Sequence, residues 1–136
     1  ELYANTGGQE SGMTQAGSIL NMAPTGKKFK KIAIPELAKA SGCAYVSVNS
    51  VARPRDISKS LKKAIMIARE IGPTYIQIHT PCPTNLKMKS SEGITHAQER
   101  LKTDYAFKEY FTPEAESYLK KISVKKELEK LEEVDA

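Results

Sequence analysis

A strand, a helix and a second strand follow one another between residues 43 and 79, and this order constrains the fold more than any other feature. From Pro54 to Ile71, apolar side chains recur at spacings of three and four, which is typical of an amphipathic helix. The stripe consists of Ile57, Leu61, Ala64, Ile65, Ala68 and Ile71. On either side, Cys43–Val48 and Thr74–His79 have the residue types of strands. The unit predicts an α/β fold with a mainly parallel sheet flanked by helices.

Weaker signals predict the remaining elements. A proline in the first turn and a glycine at the end indicate a short helix over Pro35–Gly42. We expect another short helix near Thr14–Asn21, followed by an exposed cationic loop. Residues Ile94–Tyr105 fit a helix, and Tyr105–Phe111 fits either a short strand or an anchor onto a neighbouring subunit. Thr112 has the position of an N-cap for a terminal helix that begins with proline.

Composition excludes several classes of function. With 136 residues the chain forms at most one domain, and no apolar run approaches the length of a membrane span. The net charge of +5 comes from 21 basic and 16 acidic residues, but three phenylalanines and no tryptophan are a poor supply for stacking nucleic-acid bases. We therefore assign the charge to solvated helix faces or to a surface that meets an acidic protein.

The two cysteines also restrict which cellular compartment and which metal sites we expect. Cys43 and Cys82 fit no disulfide framework, so a reducing cytoplasm is expected. Neither belongs to a Cys-x-x-Cys pair, so we expect no metal site formed by this chain alone. Cys43 lies in an apolar strand and is expected in the core.

A glycine-rich run begins the chain. Leu2 and Tyr3 suit the end of a buried strand, and Gly7 and Gly8 allow positive φ and a close approach to a ligand. In open α/β sheets, such a strand end leading into a glycine loop is where anionic cofactors bind. The alternative is an ordinary surface turn.

Two motifs carry a resemblance to a known family. Tyr3-Ala4-Asn5-Thr6-Gly7-Gly8-Gln9 resembles the thiamine-diphosphate loop of the 2-oxoacid:ferredoxin oxidoreductases, the pyruvate:ferredoxin family. Gly72–Thr84 resembles the strand of that family that ends in Ala-Pro-Cys-Pro-Thr, whose cysteine ligates an iron–sulfur cluster. The resemblance implies the C-terminal part of a thiamine-diphosphate-binding domain over residues 1–119 and a charged helical tail over residues 120–136.

The resemblance also implies the site residues. The backbone carbonyl of Leu2 would ligate Mg²⁺, and Cys82 would ligate a [4Fe–4S] cluster. The amide of Asn5 would act in catalysis near the cofactor and the substrate; the alternative is an asparagine that only holds a turn. The loop residues that would bind the cofactor are Leu2, Asn5, Thr6, Gly7 and Gly8. One departure is Asn85-Leu86, where the family commonly has Gly-Trp after Pro-Thr.

The function implied by the resemblance is that of a β subunit in a multi-subunit enzyme. The enzyme would oxidatively decarboxylate a 2-oxoacid with thiamine diphosphate, Mg²⁺ and a [4Fe–4S] cluster, and pass electrons to ferredoxin. The sequence starts without methionine at an apparent strand end, so we expect a fragment that is inactive without its upstream part and the other subunits. Pyruvate is the first choice of substrate and oxalate the alternative within the family, and the use of coenzyme A stays open. A non-catalytic phosphate-binding module and a structural subunit are the alternatives from other classes.

Overall fold

The computed structural model of the chain describes residues 2–134, and side chains over residues 2–123. Two short strands, β1 and β2, form an antiparallel hairpin near the beginning, and helices and strands alternate from residue 34 onward. The elements are β1 Leu2–Tyr3, β2 Gln9–Glu10, α1 Ile34–Ala40, β3 Tyr45–Ser50, α2 Pro54–Glu70, β4 Thr74–His79, a 3₁₀ turn Ser90–Glu92, α3 Gly93–Arg100, β5 Lys108–Phe111 and α4 Pro113–Val134.

The main sheet has three strands in the order β4-β3-β5. The parallel pair β3–β4, joined by α2, confirms the predicted strand–helix–strand unit. The prediction of a mainly parallel sheet is only partly right, because β5 pairs antiparallel with β3. Residues 80–107 leave β4 and enter β5 at the same end of the sheet, beside the carboxyl end of β3, so β5 runs back antiparallel to β3 on its other side.

The core lies between the sheet and the helices α2 and α4. Its buried members are Ala44, Tyr45, Ala64, Ile67 and Ala115. The predicted stripe of α2 is wrong in part, since Ile65 is 51% exposed whereas Ile67 is fully buried. The buried face instead includes Ser60, whose hydroxyl donates a hydrogen bond to the Asn49 side chain (3.1 Å). A paired hydroxyl is tolerated in a core, so hydrophobicity alone placed this face incorrectly.

A polar cluster lies at the edge of this core. The Tyr45 hydroxyl donates a hydrogen bond to the Glu109 carboxylate, which also accepts two hydrogen bonds from Lys63 at 2.8 Å. Burial, followed by the hydrogen bond to Glu109, raises the pKa of Tyr45 to about 12. Tyr45 therefore stays protonated above pH 10, where an ordinary tyrosine ionises. Its hydroxyl joins β3 to β5 in addition to the backbone pairing of these strands.

Several local predictions were tested. Thr112 caps α4 by accepting a hydrogen bond from the Ala115 amide (3.3 Å), as predicted. The predicted helix near Thr14–Asn21 is wrong, because Gly17 has φ 82° and the chain turns back to pair Leu20 with Ala23. The expected buried strand end is also wrong, since β1 pairs only with β2 and Tyr3 is 58% exposed.

None of the helices in residues 2–134 combines the length and the apolar character that crossing a membrane requires. The predicted tail at 120–136 is described only as far as α4 extends, because residues 135–136 and the side chains from 124 onward lie outside the described residues.

Candidate cofactor site

The glycine run forms a tight turn between β1 and β2. The Gly8 amide donates to the Tyr3 carbonyl (3.0 Å) and the Gly7 amide to the Ala4 carbonyl (3.3 Å). Both glycines have positive φ, 115° at Gly7 and 84° at Gly8, a region that disfavours side chains. The predicted positive φ at both glycines is confirmed, and the predicted close approach of a ligand stays a prediction.

Asn5 lies at the tip of this turn, where it is exposed. Its neighbour Thr6 donates its hydroxyl proton to the Gln9 side chain (2.6 Å), and the Gln9 amide donates back to the Thr6 carbonyl (3.0 Å). These two hydrogen bonds close the turn from within. Thr6 and Gln9 therefore shape the loop, whereas the amide of Asn5 is presented outward.

A buried lysine organises the segment that follows β2. Lys27 is 6% exposed, and its ammonium donates to the backbone carbonyls of Ser11 (2.8 Å), Gly12 (3.0 Å) and Thr14 (2.7 Å). The three N–H donors of one ammonium thus draw three carbonyls together. The carbonyls of Ser11 and Gly12 also accept hydrogen bonds from the amides of Thr14 (3.1 Å) and Ile32 (2.8 Å). The cationic loop was expected to be exposed, and that prediction is wrong for Lys27. Nothing in the run of lysines distinguishes it, so the sequence did not reveal it.

Cys82 follows β4 on a stiff loop. Proline flanks it on both sides, and the carbonyls of Cys82 and Pro83 accept hydrogen bonds from the amides of Leu86 and Met88, both at 3.0 Å. The Cys82 side chain is half-buried. The Asn85 side-chain amide donates to its sulfur at 3.4 Å, within the range for hydrogen bonds to sulfur. The loop thus fixes both the sulfur and a donor beside it.

The two sequence motifs meet through Asn85. This side chain is 8% exposed, and a Cβ built on Gly8 would lie 2.6 Å from its Oδ1. Gly8 is therefore needed for this close approach as well as for the turn. The sequence marked Asn85 only as a departure from the family pattern. Its spacing of three residues from Cys82 puts it within reach of the sulfur, but the spacing alone does not orient its amide.

Aromatic stacking fixes the end of β4 that leads to Cys82. The His79 ring is 3% exposed and stacks on Tyr105 with ring centroids 4.0 Å apart and planes 9° apart. The Lys31 ammonium lies 3.8 Å from the centroid of the same tyrosine ring. His96 lies farther away, at 6.3 Å from His79 between ring centroids. The stacking of Tyr105 on His79 joins the segment after α3 to the end of β4, so Tyr105 is anchored within this chain.

This chain supplies only some of the ligands that each expected metal site needs. Among residues 2–123, whose side chains the structure describes, no group of three or more His, Cys, Asp or Glu side chains is placed to hold a metal ion. Cys82 supplies one thiolate, so a cluster with four sulfur ligands needs other ligands from outside these residues. The Leu2 carbonyl lies in β1 at the start of the glycine turn, and its assignment to Mg²⁺ stays a prediction.

The sequence of this chain is similar to those of subunits of 2-oxoacid oxidoreductases. The sequence is 34% identical to pyruvate synthase subunit PorB of Methanosarcina barkeri, over 76% of this chain and 36% of the relative. Identity to ketoisovalerate oxidoreductase subunit VorB of Pyrococcus horikoshii is also 34%, over 77% of this chain and 34% of the relative. Identity to 2-oxoglutarate synthase subunit KorB of Archaeoglobus fulgidus is 30%, over 74% and 37%. No family model matches the sequence.

These relatives agree on the class of subunit and differ in the 2-oxoacid they are named for. The chain spans only about a third of their length, from 34% to 37% in the three comparisons. The chain has both the glycine turn and the cysteine loop on which the resemblance depends. The chain therefore belongs to the PorB, VorB and KorB family of 2-oxoacid:ferredoxin oxidoreductase β subunits.

Proposed function

We propose that this chain is the C-terminal part of a β subunit in a complex that oxidatively decarboxylates a 2-oxoacid. The observation that carries the proposal is the contact between the two motifs, Gly8 against Asn85 and Asn85 against the Cys82 sulfur. A turn suited to a diphosphate cofactor and a sulfur suited to an iron–sulfur cluster are needed side by side, because electrons released at one must reach the other.

When bound, thiamine diphosphate supplies the electron sink for decarboxylation, and a [4Fe–4S] cluster accepts the electrons one at a time. The residues of this chain would orient the cofactor and the substrate and stabilise the charge that develops on the substrate. Asn5 presents its side-chain amide at the tip of the turn, and we assign it a hydrogen bond to the substrate oxygen that gains charge. Gly7 and Gly8 form the cofactor turn, and Thr6 holds its shape through Gln9.

Leu2 and Cys82 complete the assignment. The Leu2 carbonyl would bind Mg²⁺ as one oxygen ligand of several, and the Cys82 thiolate would bind the cluster as one of four sulfur ligands. The remaining ligands belong to other parts of the complex. The proposed partners are therefore the rest of the β subunit, the other subunits, and ferredoxin as electron acceptor.

Pyruvate is the proposed substrate, on the resemblance of the Asn-Thr-Gly-Gly loop to that of pyruvate enzymes. The test is cofactor and activity analysis of the complex purified without oxygen. We expect thiamine diphosphate and iron to copurify, and dye reduction to be fastest with pyruvate among pyruvate, 2-oxoisovalerate, 2-oxoglutarate and oxalate. Faster turnover of another acid changes the substrate only. A complex with neither thiamine nor iron contradicts the function and favours a structural or phosphate-binding subunit.

A further inference from the structure

We propose that Asn85 is a positioning residue for the group bound by Cys82. It would hold the cysteine loop against the glycine turn and, by donating an N–H to the Cys82 sulfur, raise the reduction potential of the cluster. This inference rests on the proposed function, because it needs Cys82 to be a cluster ligand.

The Asn85 amide contacts both the cysteine loop and the glycine turn. Its Nδ2 atom is 3.4 Å from the Cys82 sulfur, and its Oδ1 atom packs against the backbone of Gly8 so closely that a Cβ there would approach to 2.6 Å. The hydrogen bond directs Nδ2 at the sulfur, and the close contact at Gly8 leaves Oδ1 little room to move. The donor therefore faces the sulfur and the acceptor faces the turn.

The surrounding loop also restrains Asn85. Its side chain is only 8% exposed. Backbone hydrogen bonds from Leu86 to Cys82 and from Met88 to Pro83, both 3.0 Å, bracket the residue. Lys87, with φ 53°, turns the chain sharply after it. A donor that is fixed before reduction costs no reorganisation when the charge changes.

The N–H of Asn85 would change the reduction potential of a cluster bound at Cys82. Reduction would add one electron to a cluster bound by Cys82, with no bond to Cys82 formed or broken. The ligand sulfurs would share the added negative charge, so the N–H of Asn85 directed at one of them would stabilise the reduced form more than the oxidised form. The donor therefore favours electron uptake from the cofactor, and its removal lowers the potential.

The experiment is a reductive titration with dithionite, followed by the paramagnetic signal of the anaerobically purified complex. Two variants remove the donor: Asn85→Ala, and Asn85→Asp, which keeps the shape of the side chain. Matched controls are Asn21→Ala and Asn21→Asp, because Asn21 also lies beside Gly8, with its Cβ 3.7 Å from the position of a Cβ there. Each control makes the same chemical change next to the same turn.

We expect both Asn85 variants to keep their iron and to show a lower midpoint potential. The expected change is about tenfold in the reduction equilibrium, which corresponds to about 59 mV for a one-electron couple. The Asn21 controls should keep the wild-type potential. A wild-type potential in either iron-containing Asn85 variant overturns the inference, since filling space between two loops does not require a donor. If Asn85→Ala loses iron, Asn85→Asp is judged against Asn21→Asp, because both add a negative charge beside the same turn and only the first removes the donor. A larger fall in potential for Asn85→Asp supports the inference, and an equal fall overturns it.

Failure of the proposed function gives a different result. In that case the wild-type complex itself has no iron–sulfur signal, and the inference about Asn85 falls with it.

Discussion

The molecule contains two regions of different construction, the turn segment (residues 2–32) and the sheet segment (residues 34–119). In the sheet segment, strand β3 is buried along its whole length and helices pack on it through Ala64, Ile67 and Ala115. In the turn segment, Leu20 is the one buried apolar side chain among the described residues, and Phe29 is 76% exposed. The turn segment is held mainly by individual polar contacts, notably those of Lys27 and Gln9.

This difference separates the scaffold from the site. Apolar packing is cooperative, so damage to the sheet segment should unfold the whole protein. Hydrogen bonds from single side chains hold turns one at a time, so damage to the turn segment should open it locally and affect the site first. The candidate site lies where the two segments meet, at Gly8 and Asn85.

The largest effect on stability is expected from Ile67→Ala. Ile67 is fully buried between α2 and the sheet, and removing its side-chain carbons leaves a cavity that should cost about 2–5 kcal/mol of unfolding free energy. Urea unfolding of the purified protein measures the loss. Ile65→Ala is the matched control on the same helix; it is 51% exposed and should cost much less. Equal losses would show that the buried face of α2 is assigned incorrectly.

Asn5→Ala should affect turnover and leave the fold intact. If its amide donates to an oxygen that gains charge, its loss should raise the barrier by about 2–4 kcal/mol, a fall in kcat of roughly 30- to 1,000-fold. Thiamine diphosphate affinity should change little, and the unfolding midpoint should stay constant because Asn5 is exposed. Steady-state kinetics of the complex provide the measurement, and wild-type turnover would reduce Asn5 to a residue that only forms the turn.

Lys27→Met should open the turn segment while the sheet segment stays closed. The variant keeps the aliphatic stem but removes the donor to three carbonyls, so we expect the local opening free energy to fall by about 2–3 kcal/mol. Amide exchange reports the change, with faster exchange at Thr14 and Gly17 and unchanged protection in β3. The exposed neighbour Lys28 provides the control, since Lys28→Met should leave all of these rates unchanged. Global loss of protection would contradict the division into two segments.

Tyr45→Phe has the smallest expected effect, about 1–2 kcal/mol at pH 8, from the lost hydrogen bond to Glu109. Its pH dependence is more distinctive. Tyrosine ionises near pH 10 when unfolded and at about 12 in the fold, so between these values the folded state keeps a proton that the unfolded state releases. The unfolding free energy should therefore fall by up to about 1.4 kcal/mol per pH unit as pH rises through this window.

Denaturant unfolding from pH 8 to 11.5 should show a smaller fall for Tyr45→Phe than for the wild type. Burial also raises the pKa of Tyr75, so Tyr75→Phe is the control that isolates the share of Tyr45. Parallel curves for Tyr45→Phe and the wild type would show that Tyr45 does not contribute to the pH dependence of the unfolding free energy.

The division between the turn segment and the sheet segment also explains which elements the sequence predicted and which it missed. The spacing of apolar residues located α2 and β4, and the proline and threonine signals located α1 and the start of α4, because these elements follow local rules. A short strand over Tyr105–Phe111 was one of two expected alternatives, and β5 lies there. Its antiparallel pairing and the hairpin of β1 with β2 were missed because pairing depends on the path of the chain. In the site, the glycine positions were predictable from backbone requirements. The contacts of Lys27 and Asn85 are long-range or depend on side-chain orientation, and no sequence period encodes them.

The central claim is that Cys82 binds an iron–sulfur cluster beside the glycine turn, and a pair of cysteine variants tests it most directly. Both cysteines are half-buried, so Cys43→Ala is a matched control for Cys82→Ala. Iron content and the paramagnetic signal are measured on the complex purified without oxygen. We predict that Cys82→Ala loses iron and signal while Cys43→Ala keeps both. Wild-type iron content and an unchanged signal in Cys82→Ala would contradict the claim.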